Sequence, residues 1–392
     1  MNDWGAHWFD FADAVYLNTS AEGLMPRAAI QAAQQAVDAK TFPHRVSQTS
    51  FFDVPNRLRA SIAHLIGGRA EEVALTTGAS AGTAILAHGL PWKPDDEVIT
   101  STGEFPLQYT TWVPLAEREK VTLHVVSPSG RFLSADDLIA ALSPRTRLVS
   151  VSLVRFDDGS MLDASKLARA CHAQGVWLAL DISQCCGAVP IDVVELDADF
   201  VTSAGYKWLL SPYGTGFFWC TLKHLETLRP GPFAWMAIDG AGDFSSLRFE
   251  DPKPSRTASR WDAPEWAGAF NLNLAAMTAA VAFVESVGPA TVKAHNDRLI
   301  DRLFARLPPD LVEAASPADA ASRGPFACFR AHTPQATKRL FESLDRERVV
   351  VSLREGNIRV SPYLFNTDQD IDRLIEVVET RPDWQEAGTR AG

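Results

Sequence analysis

An α/β fold is predicted for this chain: a large domain with a mainly parallel sheet flanked by helices, followed by a smaller α+β C-terminal domain. Three observations predict it. Strand-like and helix-like segments alternate from about residue 72 to residue 220. Several strands, "TRLVSVSLV" and "VWLALDIS" among them, are apolar almost throughout, as expected where helices cover both faces of a parallel sheet. After Cys220 the alternation stops, and a Gly-, Pro- and Trp-rich stretch gives way to helices mixed with short strands.

In chain order, "VYLNTSAEGLMP" reads as a short apolar strand running into turn residues and a proline. "RAAIQAAQQAVDAK" and "FFDVPNRLRASIAHLIG" read as helices, the second closed by Gly67 and Gly68. Glu72 to Thr76 is a strand that enters a Gly-Ala-Ser turn and a small-residue helix. Next come strand "DEVITST", helix "PLQYTTWVPLAERE", strand "VTLHVVSP", helix "SADDLIAALS", strand "TRLVSVSLV", helix "DASKLARACHAQG" and strand "VWLALDIS". Two further strands follow, "ADFVTSAG" and "GTGFFWC", with a helix expected between Asp181 and Lys207. "FNLNLAAMTAAVAFVESVG" is a long helix, and "ACFRAHT", "VVVSLR" and "NIRVSP" are the strands of the second domain. The expected division is an N-terminal segment 1–20, a large α/β domain 21–260, and 261–392 as an interface helix plus the small domain.

With 392 residues, 46% of them hydrophobic, the chain can bury a large core. A net charge of -11 argues against nucleic acid as a partner, which favours a basic face. No run of about 18 apolar residues is present, so no membrane span is expected. The acidic, aromatic N-terminus "MNDWGAHWFDFADAVY" resembles no targeting peptide, and a cytoplasmic location is expected. Five cysteines without a C-x-x-C pair read as reduced, buried residues. Nine scattered histidines, without H-x-x-x-H or H-E-x-x-H, give no metal site.

The chemistry centres on "TSAGYKWLLSPYGTGFFW". Lys207 has no charged neighbour from Val201 to Cys220; an amine so placed loses hydration, its pKa falls, and it becomes nucleophilic towards carbonyls. Asp181 ends the apolar strand "VWLALDIS", at the edge where open α/β sheets place ligands. A carboxylate there also serves as a plain helix cap, and both readings stand. A Lys that reacts with an aldehyde and an Asp that holds a pyridinium are what pyridoxal phosphate requires. Its phosphate needs a helix N-terminus, which "TTGASAGTA" offers: Gly78 permits close approach, and the amides of Ala79 and Ser80 with the Ser80 hydroxyl face outward.

Taken in order, "TTGAS", "GEFPLQYTTW", "ALDISQCCGAVPID" and "TSAGYKW" followed by "GTGFFW" resemble the class V aminotransferase and cysteine-desulfurase family of fold-type I pyridoxal-phosphate enzymes. The resemblance runs from "YLNTSAEGLMP" to "NIRVSPYLFNTDQDIDRL". It implies that Lys207 forms the Schiff base and moves the proton at the substrate Cα, while Asp181 holds the pyridine nitrogen. Gln184 would bond the cofactor's phenolic oxygen, Phe105 would stack on its ring, and Ala79 and Ser80 would hold its phosphate. Arg359 would fork onto the α-carboxylate of an amino-acid substrate; its plainer reading is a strand-edge surface arginine. Asn18 and Gly23 would line the substrate side, and the enzyme would be a homodimer.

Departures from the family pattern are as informative. Tyr206 stands before the lysine where most members carry His, as in the kynureninase-like branch, and a phenol there can still reach the phosphate. Ala204 replaces a frequent phosphate-binding Ser, which makes Ser203 a candidate to compensate. "RWDAPEW" lacks the hydroxyl that usually reaches the partner subunit's phosphate, since Ala263 and Pro264 cannot supply it. Arg155 falls near a position that often holds a substrate-facing Asn; it either binds a second acidic group or pairs with Asp157 or Asp158. A desulfurase needs a mobile cysteine just before the carboxylate-binding arginine, and "VVVSLREGNIRVSP" has none. Transamination, C–S β-elimination, kynureninase-like C–C cleavage and epimerisation all stay open.

Overall fold

The order and direction of the strands place three strand ends on one edge of the large sheet. The computed structural model describes residues 4–380, except 10, 12, 48, 230–233, 246–249 and 264–267, together with residue 384. A short strand β1 (Val15–Tyr16) precedes helices α1 (Arg27–Thr41) and α2 (Ser50–Ile66). Strand and helix then alternate through β2 (Val73–Thr76), α3 (Ala79–Gly89), β3 (Glu97–Ser101), α4 (Pro106–Glu119) and β4 (Thr122–Val126). They continue with α5 (Ala135–Ala140), β5 (Thr146–Ser152), α6 (Ala164–Ala173), β6 (Trp177–Asp181), β7 (Phe200–Ala204) and β8 (Gly216–Cys220).

The sheet order is β2-β8-β7-β6-β5-β3-β4. Strands β7, β6, β5, β3 and β4 are mutually parallel, and β8 is antiparallel to both β7 and β2. Two reversals leave β2 pointing the same way as β7, so the ends of β2, β6 and β7 meet at one edge. Every residue of β7 and β8 is buried, which explains their unbroken apolar runs, while the edge strand β4 is partly exposed.

The rest of the chain comprises α7 (Leu272–Val287), α8 (Pro289–Arg306), β9 (Val312–Ala314), β10 (Ala327–Ala331), α9 (Pro334–Arg346), β11 (Val349–Val350), β12 (Ser352–Arg354), β13 (Asn357–Val360) and α10 (Asp368–Thr380). Helix α7 lies against α1 and α2, and its Met277, Ala280, Val281 and Val284 join the core of the large sheet. An antiparallel sheet, β12-β13-β10-β9, carries a second apolar core that also takes in Leu17 from the N-terminal segment. Among the described helices, no single one is long and apolar enough to cross a membrane.

Two expectations about elements need correction. No helix links β6 to β7: residues 182–199 form a series of turns, with an isolated bridge between Cys186 and Val189. Pro190 has no amide hydrogen to give a helix, and the turns bury Ile182, Cys185, Cys186 and Ala188 in the core instead. "VVVSLR" is not one strand. Val349 and Val350 pair in parallel with β1, whereas Ser352 to Arg354 pair antiparallel with β13, the chain changing sheets at Val351.

Candidate active site

Lys207 follows β7 in a bend whose backbone is fixed from two sides. Leu210 N–H donates to the Lys207 carbonyl at 3.0 Å, and Gly23 N–H donates to the Tyr206 carbonyl at 2.8 Å. Gly23 is required there, because a Cβ would lie 1.7 Å from the Lys207 carbonyl oxygen. The Lys207 side chain is 6% exposed and runs between aromatic walls, with Nζ 5.1 Å from the Phe105 ring centre and 5.7 Å from that of Tyr206. Burial pushes its pKa from 10.5 down to about 8; the Arg359 and Arg354 charges push the same way, and the Asp181 carboxylate opposes them.

Asp181 is buried at the end of β6 and shares a cleft of about 170 Å³ with Lys207. Its Oδ1 accepts from Ser183 N–H at 2.8 Å, and Ser183 Oγ accepts from Ala204 N–H at 2.9 Å, so the carboxylate is tied to the strand that leads into the lysine's bend. Burial raises the Asp181 pKa, against the Ser183 hydrogen bonds and the Lys207 charge.

The opposite end of the cleft is the start of α3. Gly78 adopts φ +149°, and a Cβ there would meet no protein atom; it would project into the cleft space that an anion at this helix N-terminus needs. Ala79 is buried beside Leu107, Phe105, Tyr206 and Ala204, while Ser80 is exposed at the rim. Phe105 caps α4 and meets Phe156 edge-on at 5.4 Å. Tyr206 lies flat against Tyr213, ring centres 4.1 Å apart, and the Tyr213 hydroxyl donates to Glu22.

Gln184 is buried, and its Oε1 has no hydrogen-bond partner. Such an orphan acceptor fits a ligand hydroxyl. Arg359, on β13, is 2% exposed. One Nη1 hydrogen bond of 3.0 Å reaches the Phe156 carbonyl, its Nε is unpartnered, and no described carboxylate pairs with it. Burial, with help from Arg354, lowers its pKa to about 10. A buried guanidinium in that state fits an incoming carboxylate. Asn18 stands nearby on the N-terminal segment, where its Oδ1 accepts from Ser352 Oγ.

Two candidates are overturned by their surroundings. Ser203 does not face the cleft: side chains alternate along β7, Ala204 takes the cleft side, and the Ser203 hydroxyl is fully buried, donating to the Ala204 carbonyl at 3.2 Å and lying against Cys186. Arg155 is not free for a substrate. Its Nη2 holds Asp157 at 3.0 Å, its Nε lies 3.8 Å from Asp158, and its Nη1 donates to Ser101 Oγ at 3.1 Å.

Sequence reasoning passed over Glu104 and Arg354. Glu104 is buried beneath the site, accepting from Ser152 N–H at 3.0 Å and Ser152 Oγ at 2.6 Å, and burial raises its pKa. Its only signal was a place beside Phe105. Ala263 supplies no hydroxyl, as expected, and its N–H donates to the Leu75 carbonyl at 2.8 Å; Pro264 lies outside the described residues.

A narrow cleft with an aromatic wall, a part-neutral amine and an anion-binding helix start suits a flat, phosphorylated aldehyde. The class that this fold and site define is the fold-type I pyridoxal-phosphate enzymes. The family follows from comparison: residues 15–374 match the model of aminotransferase class V, and the chain belongs to that family. It is 27% identical to isopenicillin N epimerase of Streptomyces clavuligerus over 93% of this chain and 94% of the relative. A kynureninase of Xanthomonas euvesicatoria pv. vesicatoria is 24% identical over 94% and 91%. Among solved structures, a lysine-to-alanine form of C-DES with glycine covalently linked to its PLP cofactor shares the fold, at a TM-score of 0.82 and 20% identity over 94% of this chain and 97% of that one.

Proposed function

We propose that the protein acts on an amino acid through Lys207, with pyridoxal phosphate held between Lys207, Asp181 and the start of α3. The single observation that carries this reading is the depressed pKa of a buried Lys207 that shares one cleft with Asp181. When bound, pyridoxal phosphate supplies a carbonyl that condenses with amines and a ring that delocalises charge from the substrate Cα. Asp181 would keep the ring nitrogen protonated, a cation that repays its own burial. Gln184 Oε1 would accept from the ring hydroxyl, and Phe105 would exclude water from one face. The amides at Ala79 and Ser80, with the Ser80 hydroxyl, would bind the phosphate, and Tyr206 stands close enough to assist. Arg359 would orient the substrate by its α-carboxylate, presenting Cα to Lys207, which with a pKa near neutrality takes up and returns the Cα proton.

These groups serve every reaction that starts by removing the proton at Cα. We assign the protein to the aminotransferase family's amino-acid chemistry, with epimerisation or C–S or C–C cleavage as the alternative outcomes. The similarity to an epimerase and a kynureninase supports keeping them. Cysteine desulfuration is disfavoured: Cys328 is buried in β10 and burial pushes its thiol up to about 12, so it is no mobile thiolate. Apart from Lys207, no basic side chain lines the described cleft; the phosphate end is left short of countercharge, which favours a homodimer in which a second copy would supply it. Purified protein supplemented with pyridoxal phosphate should show the visible band of a lysine-bound cofactor, absent in Lys207→Ala. Absence of the band from folded wild-type protein would sink the reading.

A further inference from the structure

The hairpin of β12 and β13 turns a polar face toward the site. Its register pairs Ser352 with Arg359 and Arg354 with Asn357, so these four side chains share one face. Leu353 and Ile358, on the other face, pack into the small-domain core. The polar face contacts the large domain and the N-terminal segment: Ser352 bonds Asn18, Asn357 Nδ2 donates to the Asp157 carbonyl at 3.1 Å, and Arg359 reaches the Phe156 carbonyl.

Arg354 is the fourth member, and it is half-buried. Its Nη1 donates to the Leu353 carbonyl at 2.9 Å, and no carboxylate among the described residues lies within ion-pair distance. Acids are not scarce in a chain with 48 Asp and Glu against 37 Lys and Arg, and Arg155, Arg302 and Arg373 each hold one. Diagonal neighbours across an antiparallel pair stand roughly 7–8 Å apart, so Arg354 and Arg359 are adjacent, uncompensated cations at different depths. The Arg354 charge also weighs on both Arg359 and Lys207.

We propose that Arg354 selects the substrate: an amino acid whose side chain ends in a carboxylate, its α-carboxylate on the deep Arg359 and its distal carboxylate on Arg354. The proposal rests on the amino-acid reading above. It gives Arg354 the second-anion role that Arg155, spent on Asp157, cannot fill.

The test is calorimetric titration of holoenzyme with two isosteric pairs, L-glutamate against L-glutamine and L-aspartate against L-asparagine. A hydrogen-bonded charge pair corresponds to about a ten- to hundredfold gain in affinity. Wild-type protein should prefer the acid by that factor in at least one pair. In Arg354→Gln the preference should fall to about threefold or less with amide binding unchanged, and Arg354→Lys should restore part of it. No acid preference in either pair overturns the proposal. So does equal weakening of acid and amide in Arg354→Gln, which would make Arg354 a second ligand of the α-carboxylate. Wild-type protein that shows no cofactor band fails the parent reading and this proposal with it; a band with no acid preference fails this proposal alone.

Discussion

Replacing Lys207 by methionine should make the cofactor-free protein more stable, and by an amount that depends on pH. The amine's ordinary value is 10.5 and its value in the fold is about 8. At about 1.4 kcal/mol per pH unit, a charged Lys207 destabilises the fold by about 3 kcal/mol. The Asp181 carboxylate, which attracts the ammonium, keeps that figure from being larger. Between pH 8 and pH 10.5 the unfolded chain holds a proton that the folded chain has released, so this contribution makes stability rise with pH across that window. Below it the full penalty applies; above it both states are neutral and the penalty is gone. Lys207→Met keeps an apolar stem and removes the charge. Urea unfolding followed by tryptophan fluorescence should show the variant about 3 kcal/mol more stable at pH 7, with the gap closing through pH 8–10.5. A variant less stable than wild type at pH 7, or a gap that ignores pH, would refute the claim that the fold holds this amine short of its proton.

Two other substitutions probe the frame around the lysine. Gly23→Ala brings a Cβ to 1.7 Å from the Lys207 carbonyl, so the backbone carrying the amine must shift; turnover should fall by about a hundredfold or more, with overpacking costing about 1–3 kcal/mol of stability. Unchanged turnover would show that the segment around Gly23 yields instead of the lysine. Arg155→Met leaves Asp157 and Asp158 without their cation and should destabilise the fold by about 3–5 kcal/mol while KM for the amino acid stays within about twofold. A raised KM at unchanged stability would return Arg155 to the substrate.

What was legible in the sequence, and what was not, follows the range of the physics involved. The apolar runs at β5 to β8 are readable because burial on both faces is a local compositional demand. The uncharged setting of Lys207 is readable too, because other charged residues are missing over a whole strand–bend–strand span. Whether Ser203 or Ala204 faces the cleft is not: alternation says that only one does, and the choice depends on which face α3 and Phe105 cover. The break in "VVVSLR" was equally hidden, since Val349 and Val350 find their partner in β1, more than three hundred residues earlier.

The arginines show where local reading ends. Arg155 carries its answer beside it, for Asp157 and Asp158 follow within three residues and the pairing found is the one those neighbours offered. Arg359 and Arg354 lie in a segment just as ordinary, with Glu355 between them in sequence. Yet Glu355 follows the last residue of β12 into the exposed hairpin turn, at φ +46°, and pairs with neither. The turn removes the acid between them in sequence from the polar face, and among the described residues neither cation holds an ion-pair partner. In an acidic protein that imbalance is a specific demand on the ligand. Carboxylates brought in from outside would meet it, in the number that the binding of acid–amide pairs will count.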